Sequence, residues 1–421
     1  MIVTLLGVGL GLVVTVLVVY TIRHYVFTIN RLLGRHRQPY LDIGIADWPE
    51  TVVFVPAHNE EKVIAGMLDA LLAAEYPAAR LRVVPINDRS TDRTAAIVDD
   101  YARRFPTRIL SFHRTEGPPG KAAALADAST RFGGDIHLVF DADYLPGPGL
   151  LKQLVAPFFD PEVGAVMGRV VPHNLNRSLL TRLLDLERAG GYQVDQQARM
   201  NLRLVPQYGG TVGGVRRSAL ESVGGWRADT LAEDTDMTFR LVLAGWEVVY
   251  QNRSECYEEV PEQWPTRIRQ VMRWAKGHNQ SLARHGPALL RFPRSVRWWR
   301  GVDGFLLLGV FAVGPVLLAG WVFALALYFL GASLLEGPIA ALSVATFGTL
   351  GNFAAFFEVG TAARLDGSGR RVRLLPFLAF GFLVNLVAVT RATLSRASWI
   401  QGNHVSWDKT ERYRGGETPS S

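Results

Sequence analysis

Hydrophobic and polar positions follow three different rhythms along the chain. Ile2–Ile22 carries no charge, and Arg23, Arg31, Arg35 and Arg37 follow it. About 20 apolar residues suffice to cross a bilayer, so this run is long enough. No basic residue precedes it and no small-x-small cleavage pattern closes it before Arg23, so it reads as an uncleaved anchor rather than a signal peptide. From Thr51 to about Tyr250 short apolar runs alternate with amphipathic stretches. Strands are expected at Thr51–Val55, Leu81–Ile86, Ile109–Phe112, Ile136–Phe140 and Val163–Gly168, and helices at Lys62–Ala74, Thr91–Phe105 and Lys121–Phe132. Such alternation predicts an α/β domain with a mostly parallel sheet and helices on both faces. Beyond Arg300 come three apolar blocks, Val302–Leu330, Pro338–Gly360 and Leu374–Thr390, each long enough to span a membrane or nearly so.

These rhythms divide the chain into an N-terminal transmembrane anchor (1–24), an α/β domain (45–262), amphipathic interface helices (263–301), C-terminal transmembrane helices (302–395) and a tail (396–421). Charge orients the pieces. The arginines after the first apolar run place the α/β domain in the cytoplasm by the positive-inside rule, which implies a multi-pass protein of the inner (plasma) membrane. Arg364, Arg370, Arg371 and Arg373 put the link between the last two apolar blocks on the same side. Counting spans then sends the C-terminus outside. Yet Arg391, Arg396, Lys409, Arg412 and Arg414 follow the last block, so a re-entrant final helix with a cytoplasmic tail is the alternative. The net charge of +7 suits nucleic acid, but a nucleic-acid binder explains neither the spans nor the ordered carboxylates described next, and no such partner is expected. The single Cys256 excludes an intrachain disulfide framework and a cysteine-cluster metal site.

Candidate chemistry sits at the ends of the expected strands, where open α/β sheets bind ligands. One strand runs into Pro56, Asn59 and Glu60; the last two also suit the start of a helix. Another runs into Asp88, with Ser90 a natural N-cap and Asp92 placed to complement the helix dipole. Lys121 follows Gly120 at a helix start, where a cation is disfavoured unless an anion is held there. The strand from Ile136 ends in Asp141 and Asp143, hard oxygen ligands for a divalent cation that would grip a diphosphate. Later, the i, i+3 spacing of Gln270 and Arg273 puts them on one helical face, with Trp274 beside them. There Arg273 suits a phosphate fork and Trp274 a stacked sugar, although an Arg–Trp pair also suits anchoring at lipid headgroups.

In this order Pro56-x-x-Asn59-Glu60, Asp88-x-Ser90-x-Asp92, Gly120-Lys121 and Asp141-Ala142-Asp143 resemble family 2 glycosyltransferases of GT-A fold, a Rossmann-like nucleotide-diphospho-sugar transferase domain. Tyr208–Arg217 resembles the family's glycine-rich loop before a helix and Glu233-Asp234 its Glu-Asp motif. Gln270-x-x-Arg273-Trp274 is similar to the motif of membrane-embedded synthases of cellulose, chitin, hyaluronan and poly-N-acetylglucosamine, and Trp407-x-Lys409-Thr410 resembles the tails of bacterial members. The resemblance implies an inverting β-glycosyltransferase whose donor, a nucleotide-sugar and preferentially a UDP-sugar, contacts Pro56, Asn59, Glu60, Asp88, Lys121, Asp141 and Arg273. It implies Mg²⁺ or Mn²⁺ on Asp141 and Asp143, and Asp234 with Glu233 at the catalytic base. Gln270, Trp274 and Asp234 would meet the acceptor, a polysaccharide or lipid-linked sugar in the lipid membrane. Few spans are available for a polymer channel, so a secretion subunit or self-association is expected if the product is a polymer. Two rivals are a single-transfer enzyme acting on a lipid acceptor and an inactive scaffold or sensor. Ala232 and Asn87 depart from the family's commoner Thr and Asp, and an amide at 87 would alter contacts to the base.

Overall fold

A computed structural model describes residues 1–37, 47–332, 337–346, 350–396 and 399. Trp407, Lys409 and Thr410 lie outside the described residues. Helix α1 (Ile2–Leu33) precedes the α/β domain. In that domain β1 (Thr51–Ala57), α2 (Ile64–Leu72), β2 (Leu81–Asp88), α3 (Thr94–Arg104), β3 (Phe112–Arg114), α4 (Lys121–Arg131) and β4 (Ile136–Val139) alternate as expected. The short β5 (Leu145–Pro146), α5 (Leu150–Val155) and β6 (Val163–Pro172) follow, then α6 (Leu179–Ala189), a π-helical segment Gly190–Gln196 and α7 (Gln197–Asn201). Strand β7 (Gly213–Arg216), α8 (Arg217–Ser222), α9 (Glu233–Leu243) and β8 (Glu247–Glu258) complete the domain, and α10 (Trp264–Leu290) lies after it.

The eight strands form one sheet in the order β3-β2-β1-β4-β7-β6-β8-β5. Strands β3, β2, β1 and β4 are parallel, as are β6 and β8, whereas β7 runs antiparallel between β4 and β6. Every residue of β1 is buried, as a strand covered on both faces requires. Val53, Val55 and Leu138 face α2 and α3 with Met67 and Leu68, while Val52, Phe54 and Val139 face the α4 and α9 side with Leu125 and Met237. The glycine-rich stretch, read from sequence as a loop, contributes β7. Added side chains at Gly213 and Gly214 would collide with the backbone oxygens of Val166 and His137, so only glycine fits between those neighbours. Ser90 does not cap α3. Its Oγ accepts from the backbone N–H of Asn59 (2.9 Å), and Asp92 accepts from that of Thr94 (2.9 Å), so the helix begins three residues later than expected.

Among the described residues three helices are long and apolar enough to cross a membrane: Ile2–Leu33, Trp298–Phe329 and Gly369–Thr393. The second comprises α11 (Trp298–Gly309), a 3₁₀ turn and α12 (Val313–Phe329). It packs antiparallel to α1, with Tyr20 donating to Leu306 O (2.7 Å) and Leu10 and Val14 against Leu327. In the middle apolar block the described residues form α13 (Gly337–Val344) and α14 (Leu350–Leu365). Helix α15 (Leu375–Thr393) runs parallel to α10. Phe380 meets Trp264 edge-on, Ala388 and Val389 pack on Val271 and Ala275, and Asn279 donates to Thr393 Oγ1 (3.0 Å). The link after α14 is docked on the α/β domain: Asp366 accepts both nitrogen contacts of Arg169 Nη2 (2.7 and 2.8 Å) and one from Gln193 (2.5 Å).

Candidate active site

The parallel strands stop together, and the chain beyond them lines a cavity of about 750 Å³. After β4, Asp141 and Asp143 both reach this cavity; Asp141 is 31% exposed into it, whereas Asp143 is buried. The Asp141 N–H donates to Thr211 Oγ1 (3.1 Å), which ties the strand end to the glycine-rich segment. Lys121, the first residue of α4, donates to Asp141 Oδ1 (2.5 Å). Burial alone would lower the Lys121 pKa, but the charges of Asp141, Glu233 and Asp234 outweigh it and the ammonium is held. A carboxylate pair facing a cavity, with one member already drawing a cation, is a donor set suited to a hard divalent ion.

Glu233 and Asp234 open α9 across the same cavity. Burial pushes both carboxyls above the usual range; Glu233 rises further from the charge of Asp234, and Lys121 opposes the rise in each. Backbone N–H of Thr235 donates to Asp234 Oδ1 (2.6 Å) and fixes that side chain. Gly210, at φ +74°, passes so close that a Cβ would stand 3.0 Å from Asp234 Oδ2. Behind them, Asp236 is fully buried and accepts from Arg240 (2.7 Å), Arg284 (2.9 Å) and His285 (2.8 Å), tying α9 to α10.

Gln270, Arg273, Trp274 and His278 of α10 form another wall. Gln270 Oε1 accepts from Arg267 (2.9 Å). The guanidinium carbons of Arg188 and Arg267 each lie 5.2 Å from the centre of the Trp274 ring, so cations already use the surface expected to stack on sugar. His278 is held neutral by burial, its pKa lowered to about 4. Its Nδ1 pairs with Trp274 O (3.1 Å) and its Nε2 with Gln207 (3.1 Å), which also donates to Thr235 Oγ1 (2.9 Å).

Pro56, Glu60, Lys121, Asp141 and Arg273 of the expected donor set therefore meet in one cavity with Asp143, Glu233, Asp234, Gln270 and Trp274. Two residues do not join them. Asp88 is buried outside the lining, where it accepts from Arg114 (2.7 Å), Arg89 (3.0 Å) and the Gly120 N–H (2.9 Å), bracing β3 and the start of α4. Asn59, at φ +56°, instead accepts from the Thr91 N–H (2.7 Å) and clips two strand-end loops together. Sequence reasoning missed Arg188, Tyr192, Gln207 and His278, and it missed the far wall, which comes from helices outside the α/β domain.

A GT-A architecture with acidic strand ends facing a half-buried carboxylate pair defines a class, and comparison with known proteins places the chain in it. Residues 49–277 match the family described as "Glycosyltransferase like family 2", and the chain belongs to that family. It is 32% identical over 258 residues to "Probable glycosyltransferase YdaM" of Bacillus subtilis (strain 168), covering 61% of this chain and 60% of that protein. It is also 31% identical over 286 residues to the beta-monoglucosyldiacylglycerol synthase of Synechocystis sp. (strain ATCC 27184 / PCC 6803 / Kazusa), covering 66% of this chain and 59% of that protein. The matches thus span about three-fifths of those relatives' own length. Among solved structures, mannosyltransferase PcManGT from Pyrobaculum calidifontis, in complex with GDP-Man and Mn²⁺, superposes with a TM-score of 0.60 at 22% identity. That superposition covers 86% of this chain and 98% of that one, and it shows the shared fold.

Proposed function

We propose that the protein transfers a sugar, with inversion, from a nucleotide-sugar (a UDP-sugar in first place) to a hydroxyl of a polysaccharide or lipid-linked acceptor at the membrane. One observation carries this reading: Asp141, Asp143, Lys121 and Arg273 share a single cavity with the half-buried Glu233–Asp234 pair. The acceptor hydroxyl attacks the anomeric carbon, the bond from that carbon to the diphosphate oxygen breaks, and its electron pair leaves with the nucleotide. Asp234 takes the hydroxyl proton, a role worth about 10²–10⁴ in rate. Burial raises its pKa above the usual carboxylate range, which strengthens it as a base, and the Thr235 N–H holds its carboxylate in place. Lys121 and Arg273 place fixed positive charge where the diphosphate gains negative charge. Asp141 and Asp143 are the residues to hold Mg²⁺ or Mn²⁺, which supplies Lewis-acid neutralisation of the leaving diphosphate when bound.

A single transfer to a lipid-borne acceptor is supported further by the cavity's far wall, built from α1, α14 and α15, and by the glycolipid-synthase relative. We also place the catalytic domain on the cytoplasmic face and α15 in the interface rather than across the bilayer. Its contacts with α10 at both ends support the latter. The test is nucleotide release by the full-length protein in nanodiscs with UDP-glucose, UDP-N-acetylglucosamine, UDP-glucuronate and GDP-mannose. Release from one donor, abolished by chelator and by Asp143→Ala, is expected. Neither binding nor release with any donor would overturn the transferase reading and favour a scaffold.

A further inference from the structure

The cavity does not end at the base. It continues to a cluster of charged side chains contributed by four separate elements: Arg23 and His24 of α1, Asp195 of the π-helical segment, Arg199 of α7 and Glu358 of α14. Asp303 of α11 anchors the cluster from behind, accepting from Arg23 Nε (2.9 Å) and Arg199 Nη1 (2.6 Å). Asp195 Oδ1 lies 3.8 Å from Arg23 Nη2 and 3.3 Å from Arg199 Nε, and His24 Nδ1 pairs with Glu358 Oε2. The cluster and the reacting end share one cavity, which Tyr192, three residues before Asp195, also lines.

Two features give this cluster a ligand's chemistry. First, Asp195 and His24 line the cavity with 30% and 37% of their side-chain surface exposed, so a carboxylate and an imidazole stand within a ligand's reach. Second, two guanidiniums face three carboxylates, with His24 alongside, so there is no surplus positive charge to hold a phosphate. Hydroxyl groups, which both donate and accept, match such a mixed and balanced set. Around it the wall is apolar: Leu307, Val310, Phe311, Ala355, Val359 and Phe382.

We propose that this cluster is an acceptor subsite holding the uncharged, hydroxyl-bearing headgroup of a membrane lipid, with the lipid chains against the apolar wall. The proposal rests on the transferase reading and deepens it. One hydroxyl of the acceptor points to Asp234, while its remaining hydroxyls are held by Asp195 and the His24–Glu358 pair.

The test uses full-length protein in phosphatidylcholine nanodiscs with the donor that releases nucleotide in the panel above. Glucosyl-dioleoylglycerol, whose sugar headgroup carries several hydroxyls, should raise nucleotide release at least tenfold, and undecaprenyl phosphate should not. Glu358→Gln and Asp195→Asn should each raise the KM for glucosyl-dioleoylglycerol at least tenfold while the donor KM moves less than twofold. His24→Gln stands in if Glu358→Gln fails to insert. Stimulation by undecaprenyl phosphate alone, or by a soluble cello-oligosaccharide alone, would overturn the subsite. So would variants that lower kcat at constant lipid KM, the signature of a purely structural role. Donor binding without any response to lipid sinks this proposal only, whereas absent donor binding by the unmodified protein sinks the transferase reading itself.

Discussion

Gly210→Ala isolates how closely the base must be held. Gly210 has φ +74°, and an added Cβ would sit 3.0 Å from Asp234 Oδ2, 3.2 Å from its Cβ and 3.4 Å from its Cγ. The carboxylate must yield by a few tenths of an ångström. It cannot swing freely, because its other oxygen holds the Thr235 N–H at 2.6 Å. Gly225 supplies the control: its φ is +75°, and an added Cβ there meets nothing within 4 Å. Alanine at either site carries a left-handed backbone cost of about 1–2 kcal/mol, so both variants should lose similar thermal stability. Only Gly210→Ala moves a reacting group. A displacement of about 1 Å costs on the order of 10²-fold in rate, so a smaller one should lower kcat roughly tenfold, about 1.4 kcal/mol on the barrier. The assay is nucleotide release at saturating donor, paired with melting of each variant in detergent. Equal kcat in the two variants would refute the assignment of Asp234 as a precisely held base.

Other predictions follow from the same geometry. Asp234→Asn should lower kcat about 10²–10⁴-fold with donor binding by calorimetry preserved; near-normal turnover would move the base elsewhere. Since burial raises Asp234 and Glu233, the acid limb of kcat/KM should fall above the ordinary carboxylate range. Lys121 opposes that rise, so Lys121→Met should move the limb to higher pH; movement to lower pH would contradict the electrostatics. The linked stability has the same sign: the protonated pair is favoured by the fold, and its contribution is lost as pH rises through the raised pKa. Burial alone would raise Asp236, but His285, Arg240 and Arg284 hold it well below the usual carboxylate range. Asp236→Asn should therefore cost about 3–5 kcal/mol of stability by stranding those buried partners, read as a lowered melting temperature. Reporters fused after Asp366 and at the C-terminus should report the same side; opposite sides would mean that α15 spans.

The sheet was legible because strands buried on both faces are written as near-continuous apolar runs, as in Thr51–Val55 and Ile136–Phe140, where only Thr51 and His137 depart from it. The carboxylates at their ends were legible for the same reason: a charge that closes an apolar run has only the strand edge to occupy. Strand β7 was not, because its signal is two glycines chosen for backbone approach, and glycine reads as a loop. Asp88 and Asn59 were placed at the right strand ends, yet their side chains bond inward to Arg114 and Thr91, a choice made by tertiary neighbours. Glu358 carried a usable signal, since an acid inside an apolar block is costly unless it faces a partner or a cavity. Asp195 and Arg199 carried none: their importance arises only where α1 and α14 meet the π-helical segment.

The bond between Arg169 and Asp366 also imposes an order of assembly. Residues of the sheet leave the ribosome long before the segment that carries Glu358 and Asp366, and domains generally fold as units during synthesis. A nascent chain could thus gather its nucleotide-binding strand ends while one wall of the reaction chamber was still to be made. That wall closes when α14 arrives and its following link clips onto β6 and Gln193. Without those helices the α/β domain would keep its acidic strand ends but lose the wall that α1, α14 and α15 give the cavity.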